Sequence, residues 1–316
     1  MNTYVIGLDV GGTSLKSALV DSTGSMMGNS FNKTLVNNQD TADNILNTFC
    51  CAISVLLGKV ELKQVLGIGI GMPGPFDYTR GISRMKHKFA ALYGIDLNYD
   101  IRKRLALPRD FTIRFGPDSW YFTRGEMWLG AAQGYDRVIG VTLGTGLGSA
   151  FMAGDHMVEN GPGIPPHTWI GALPYNGGTV EDKVSRRGII ARYKEIGGQT
   201  LEVEEIAKRA LLNKDKDSLR VFSELGHVLG EILAPHADAF KAECMVFGGG
   251  ISKSFGLFSS PILAGLSSVP TVKKVTQGAH IDLSPIWGAA KIVFLGSSYV
   301  PPVLDCDKIR WYSNED

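Results

Sequence analysis

Two stretches of this chain repeat one another. Ile6-Gly7-Leu8-Asp9-Val10-Gly11 and Ile139-Gly140-Val141-Thr142-Leu143-Gly144 align without a gap, and each runs into a glycine-rich turn. The surroundings match as well: TYVIGLDV, GGTSLK and SALVD read as strand, glycine turn and strand, and so does RVIGVTLGTGLGSAFMAGD, because β-branched and aliphatic residues flank each turn. A unit that recurs once in each half constrains the architecture more than any local propensity, and it favours a duplicated α/β domain over two unrelated hairpins. Such a duplication would set two glycine loops facing each other across a cleft. At 316 residues the chain is long enough to bury two separate cores.

Other segments fit this frame. From Thr41 to Leu57 the apolar residues Ile45, Leu46, Phe49, Ile53 and Leu57 fall mostly three or four apart, which predicts an amphipathic helix packed on a sheet. VLGIGIGMPGPF reads as a buried strand ending in a Gly-Pro turn, and FTIRF as another strand. SWYFTRGEMWLGAAQG reads as a helix with Asp118 at or near its N-cap. Residues 199–230 read as helical with a polar break at NKDKDS, CMVFGGGISKS as a strand running into glycines, and the tail from Tyr299 as irregular surface chain. The domain boundary is expected between 116 and 117, giving units 1–116 and 117–316, with the final segment able to return to the first.

Composition excludes several classes of function. A net charge of +1 with 20% charged residues offers no overall basic surface for a polyanion, so nucleic acid is not an expected partner. The four cysteines have no paired spacing, which argues against a disulfide framework or a metal knuckle. MNTYVIGLDV lacks the charged and apolar regions of a secretory leader, and no apolar run is long enough to span a bilayer, so a cytoplasmic protein without membrane attachment is expected. Neither standard nucleotide motif is present. G-x-x-x-x-G-K-[ST] is missing, and GTGLGSAF has Ser149 where the dinucleotide fingerprint needs its last glycine and continues as a strand rather than a helix.

What remains is four glycine loops at strand ends: Asp9-Val10-Gly11-Gly12-Thr13, Gly71-Met72-Pro73-Gly74, Gly144-Thr145-Gly146-Leu147-Gly148 and Gly248-Gly249-Gly250. Without side chains, the backbone N–H groups of such loops can converge on phosphate oxygens. Any one of them is equally explained as a strand-ending turn. Their ordered series carries more. LDVGGTSLK, GIGMPG, a strand leading through Asp118 into RGEMWLGAAQG, TLGTGLGSAF and VFGGGIS together resemble the ROK family of sugar kinases and repressors over nearly the whole chain.

The resemblance implies the actin-like ATPase fold, two duplicated ribonuclease H-like α/β domains with a central cleft, and ATP-dependent phosphorylation of a hexose or N-acetylhexosamine. It implies that Asp9, Gly11, Gly12, Thr13 and Lys16 form the first phosphate site, with Asp9 holding Mg²⁺ through water. It assigns Gly144, Thr145, Gly146 and Gly148 to the second phosphate loop and Gly248, Gly249 and Gly250 to the adenosine. Asp118 stands at the position of the catalytic base, Gly71, Pro73 and Gly74 lie toward the sugar, and Gly125-Glu126 match the Gly-Glu of the following helix. A homodimer is expected on the same ground.

The sugar side departs from the family. Pro117 replaces the Asn that normally precedes the base, and Trp169-Ile170-Gly171-Ala172 replaces Glu-x-Gly-His. The cysteines of the family zinc motif are missing, so no zinc site is expected. Gly178-Thr179-Val180-Glu181 and Ser185 still fit the surrounding frame, leaving Glu181 as a candidate for a sugar hydroxyl and Trp169 as a candidate to stack on the ring or to fill a core. His167 is either a replacement imidazole or solvated surface. Lys86, His87 and Lys88 are either a solvated turn or, if they face the cleft, the mark of an acidic or phosphorylated substrate. Two functional alternatives stand beside the ATP-dependent kinase: a non-catalytic sugar sensor, and a glucokinase using polyphosphate.

Overall fold

The computed structural model describes residues 2–197, 199–296 and 299, so the expected irregular tail after Tyr299 lies outside it. The chain divides into two compact units. Among the described residues, one comprises those up to Leu129 together with those from Asp282 onward, and the other those of Gly130–Ile281.

The first unit begins with strands β1 (Tyr4–Val10), β2 (Ser14–Asp21) and β3 (Asn32–Leu35), followed by helix α1 (Ala42–Leu57) and strand β4 (Val65–Met72). A two-residue hairpin, β5 (Phe76–Asp77) with β6 (Ile82–Ser83), then leads to α2 (Leu97–Arg104), β7 (Thr112–Pro117) and α3 (Asp118–Leu129). Its sheet runs β3-β2-β1-β4-β7, antiparallel across the first three strands and parallel from β1 through β7. A 16-residue helix such as α1 is marginal by itself; here its N-terminus is capped by Thr41 and its Ile45, Leu46, Phe49, Ile53 and Leu56 are buried in the unit's core.

The second unit rebuilds the same sheet. It contains β8 (Arg137–Leu143), β9 (Leu147–Ala153), β10 (His156–Met157), the short pair β11 (Pro174–Tyr175) and β12 (Gly178–Thr179), and helices α4 (Val180–Val184), α5 (Arg186–Gly197), α6 (Val203–Lys208) and α7 (Lys216–Phe240). β13 (Cys244–Gly248), α8 (Ser259–Gly265) and β14 (Lys274–Gln277) complete it. Its strand order, β10-β9-β8-β13-β14, repeats the first with the same directions, and β1 and β8 carry the repeated sequence. In the stretch expected to be helical from 199 to 230, helix starts only at Val203, passes into a π-type turn at Arg209–Asn213, breaks at Lys214–Asp215 within the expected polar break NKDKDS, and resumes as α7, which runs beyond Gly230 to Phe240.

The last helix, α9 (Ser284–Phe294), belongs to the first unit. A Cβ at Gly69 of β4 would sit 1.8 Å from the Ala289 carbonyl oxygen, and one at Gly288 would sit 1.8 Å from that of Tyr121 in α3. Backbone therefore rests on backbone, and only glycine permits it. Glu126, fully buried, accepts a hydrogen bond of 2.6 Å from the Ser284 hydroxyl, and Trp128 meets Phe294 edge-on at 6.3 Å. This packing is why the division falls after Leu129 and not at 116/117: α3 is fastened to α9.

Gly69→Ala should therefore lower the unfolding free energy by about 3 kcal/mol, the upper end for overpacking. Gly28→Ala, where an added Cβ meets nothing within 4 Å, should change it by under about 0.5 kcal/mol. Urea denaturation of the two variants would show whether the tight seat of α9 is essential.

Candidate active site

The first glycine loop is held by its own hairpin. The Gly11 N–H donates to the Ser14 carbonyl at 3.0 Å, Val36 N–H to Thr13 O at 3.0 Å, and the Asn38 side-chain amide to Gly12 O at 2.5 Å. Asp9 and Lys16 are direct partners across β1 and β2. The Lys16 ammonium lies 3.8 Å from the Asp9 carboxylate and 2.9 Å from that of Asp282, which stands just ahead of α9. The Asp9 side chain is 14% exposed. Burial pushes its pKa up to about 6; Lys16 acts against this, while the charges of Asp118 and Asp282 add to it.

Asp118 reaches the same neighbourhood through the sheet. β4 and β7 run parallel with Met72 paired to Pro117, so the Pro73-Gly74 turn and Asp118 leave the sheet at the same end. A Cβ at Gly71 would lie 3.2 Å from the Tyr121 ring and 3.9 Å from the Asp118 Cα. Asp118 is the first residue of α3, and its carboxylate accepts from the Ser119 N–H at 2.7 Å, not from the amides two or three residues on that a capping Asp satisfies. Half-buried, the carboxyl has its pKa raised by burial, with Lys88 and the local amides pulling it back down. A carboxylate made more basic by partial desolvation, yet still open to solvent, suits a group that must accept a proton.

In the second unit the loop between β8 and β9 is fixed by both backbone and side-chain bonds. Gly144 N–H donates to Gly146 O at 2.9 Å, Arg186 N–H donates to Gly144 O at 2.8 Å, and Thr145 is exposed at the tip. Leu147, the first residue of β9, is gripped from both sides. Its N–H donates to the Glu181 carboxylate at 2.8 Å, and its carbonyl accepts from the Trp169 indole N–H at 2.6 Å. Glu181 is buried and also lies 3.4 Å from the Arg187 guanidinium. The two residues that the sequence directs toward a sugar thus hold the backbone of the glycine loop. The Gly146 position is filled as well, since a Cβ there would come within 2.6 Å of the Glu181 carboxylate. Gly148 pairs with Thr142 in the hairpin, and His167 sits nearby with a left-handed backbone, φ +55°.

Gly248 ends β13. Gly249 then adopts φ +81° and lies so close to Leu143 that a Cβ would fall 2.2 Å from its carbonyl oxygen, so this loop too is glycine by necessity. A cavity of about 500 Å³ elsewhere in the second unit, beside α5 and α7, is not lined by any of these loops. Its main charges, Arg192 and Glu224, neutralise each other at 2.6 Å.

Among the described residues no three His, Cys, Asp or Glu side chains converge to hold a metal ion, and no helix is long and apolar enough to cross a membrane. The acidic surroundings of Asp9 do fit the Mg²⁺ implied by the resemblance. A carboxylate whose ionisation is suppressed by burial and by two like charges would be relieved by a divalent cation, and Mg²⁺ characteristically takes one or two carboxylates, water and ligand phosphates in place of a full protein cage.

Residues 5–294 match the model of the ROK family. The chain belongs to the ROK family. Glucokinase of Thermotoga maritima is 25% identical, the match covering 92% of this chain and 96% of that protein. N-acetyl-D-glucosamine kinase of Haemophilus influenzae is also 25% identical, over 90% of this chain and 98% of its own length. In three dimensions the ROK glucokinase of Streptomyces griseus, solved with glucose and AMPPNP, superposes with a TM-score of 0.74 at 23% identity, covering 93% of this chain and 100% of the other. The two mixed sheets are accordingly those of the actin-like ATPase fold.

The structure adds residues to this ROK site that the motifs do not name. Asn38 and Asp282 lie beyond the glycine runs and are brought in by the hairpin and by α9; nothing local in the sequence marks them. Arg84, beside the Lys86–Lys88 run, donates its N–H to Pro75 O at 3.1 Å and so belongs to the loop after β4.

Two expectations follow. Asp9 titrates near 6 when folded and near 3.8 when unfolded, so well below pH 3.8 it is protonated in both states, and above pH 6 the folded state alone bears the strain of its charge. Removing the charge should help only at the higher pH: relative to wild type, Asp9→Asn should gain about 2–3 kcal/mol of stability between pH 4 and pH 7.5. A pH-independent difference in denaturation midpoints would contradict this. Trp169→Phe replaces the indole by a phenyl ring without the N–H, and as a test of a nucleotide role for the β8–β9 loop it should raise KM for nucleotide several-fold with little change in KM for the acceptor, as steady-state kinetics would reveal.

Proposed function

We propose that this ROK protein is a sugar kinase that transfers the γ-phosphoryl group of ATP to a sugar hydroxyl, with Asp118 as the general base. The observation that carries this is the Asp118 carboxylate itself: half-buried, raised in pKa, at the N-terminus of α3 and beside the Gly71-Met72-Pro73-Gly74 turn. As the hydroxyl oxygen bonds to the γ-phosphorus, its proton passes to Asp118, and the bond from that phosphorus to the ADP oxygen breaks. ADP is the leaving group.

Most of the remaining work is positioning. Gly12 and Thr13 would present backbone donors to phosphate oxygens, Gly11, whose N–H is held by Ser14 O, would shape the turn, and Lys16 would supply a cation. Thr145 and Gly146 would do the same in the second unit, with Gly144 and Gly148 shaping that loop and Gly248–Gly250 against the adenosine. Asp9 would hold Mg²⁺ through water; when bound, the ion screens the charge on the phosphates. Glucokinase and N-acetylglucosamine kinase among the relatives support a hexose or N-acetylhexosamine as acceptor.

One observation favours a second reading, a ligand sensor without turnover: Trp169 and Glu181 are engaged with Leu147, so the usual sugar contacts of the second unit are weakened. ADP release, measured with a panel of sugars, separates the two. For the kinase, Asp118→Asn should lower kcat by about 10²–10⁴-fold, the usual worth of a general base, with KM for ATP little altered. Sugar binding by calorimetry with no sugar-stimulated ADP release in the wild type would point to the sensor.

A further inference from the structure

The segment after β6 is anchored at both ends, and among the described residues two of its cations form no ion pair. Arg84 N–H donates to Pro75 O at 3.1 Å, Met85 is buried, and Phe89, fully buried with φ +50°, packs edge-on against Phe49 at 6.0 Å. Between these anchors Lys86 lies over the Tyr93 ring at 5.5 Å. Arg84 and Lys88 are half-buried, and among the described residues neither forms an ion pair. A partly desolvated cation on a fixed segment is better placed beside an anion than beside neutral hydroxyls.

Both cations stand on a segment tied to the loop after β4. The Arg84 backbone N–H is bonded to Pro75 O in the loop that continues from Gly71-Met72-Pro73-Gly74, and the Lys88 charge is felt by Asp118. The groups suited to a neutral sugar are meanwhile reduced, since Pro117 offers neither a side-chain donor nor an N–H, and Gly171-Ala172 offers no polar side chain.

We propose that the phosphoryl acceptor is an anionic sugar, carrying a carboxylate or a phosphate group besides the hydroxyl that reacts, and that Arg84 and Lys88 bind this group. The proposal rests on the kinase reading above and narrows its substrate. Arg84 can engage either oxyanion with two N–H groups, while Lys88 supplies a compact charge between that oxyanion and Asp118.

The test pairs kinetics with binding on the full chain. ADP release with ATP would be followed using glucose, N-acetylglucosamine, glucuronate, gluconate and glucose 6-phosphate as acceptors. Calorimetry without nucleotide would measure the same five ligands. An anionic ligand should exceed both neutral sugars in kcat/KM by at least about 30-fold, with glucuronate and gluconate against glucose 6-phosphate telling carboxylate from phosphate. Combining Arg84→Gln with Lys88→Met should weaken that ligand by about 10–100-fold, through KM, as expected for lost charge-assisted hydrogen bonds. Lys88→Arg should restore part of the loss, which a mere folding defect would not allow. Efficient phosphorylation of a neutral sugar in preference to every anionic one would overturn the proposal and leave the kinase standing. If no ligand releases ADP, the kinase fails, and calorimetry still decides: anionic binding weakened by the double variant upholds the anion site, and its absence overturns it.

Discussion

The candidate site depends first on how closely α9 lies against its neighbours. Because Gly69 and Gly288 have no side chains, α9 comes within backbone contact of β4 and α3. That contact fixes α3, whose first residue is Asp118, and delivers Asp282 to Lys16. An ordinary helix-to-sheet spacing, set by side chains, would leave the Asp9–Lys16 pair without its second carboxylate and let Asp118 drift from the turn after β4. The chemistry of the first unit is thus an outcome of packing. Glu126, buried beneath and bonded to Ser284, belongs to the same fastening, which gives the Gly125-Glu126 pair a structural explanation.

The electrostatics follow from that geometry. Asp9 feels the charges of the half-buried Asp118 and the exposed Asp282, with Lys16 as the contacting counter-charge. Such an arrangement is poor for stability and good for function. The carboxyls of Asp9 and Asp118 are held above their usual pKa by burial, the kind of perturbation that marks candidate functional groups. In the second unit the balance is different: Glu181 is satisfied by a backbone amide and by Arg187, so its charge is spent on shape.

Much of this was readable in the sequence, and the exceptions have physical causes. The β1–β2 and β8–β9 hairpins were legible because their apolar runs meet glycine turns, and the repeat of Ile6–Gly11 at Ile139–Gly144 predicted two sheets of one topology. Helix α1 was legible from its periodicity. Helix α9 was not, because SPIWGAAKIVF is buried almost throughout and shows no polar face to mark a helical period. Gly226 and Gly230 in α7 resemble a helix end, yet they mark where α8 crosses: a Cβ at Gly226 would meet Phe258 O at 2.4 Å. In the site, Asp9 and Asp118 could be located from their loops, since each follows a strand. The roles of Trp169 and Glu181 could not, because which atom an indole or a carboxylate finds is decided by chain that is distant in sequence.

The return of α9 to the first unit also has a meaning for synthesis. A chain emerging from the ribosome presents residues 130–281, the whole of the second unit, before the helix that completes the first. Domains generally fold as units during translation, the N-terminal one first. Here the N-terminal sheet must wait with the surface around Gly7 and Gly69 uncovered until residue 294 has appeared. The second unit is therefore complete in the nascent chain before the first, and the opening strand gains its α9 cover only after that.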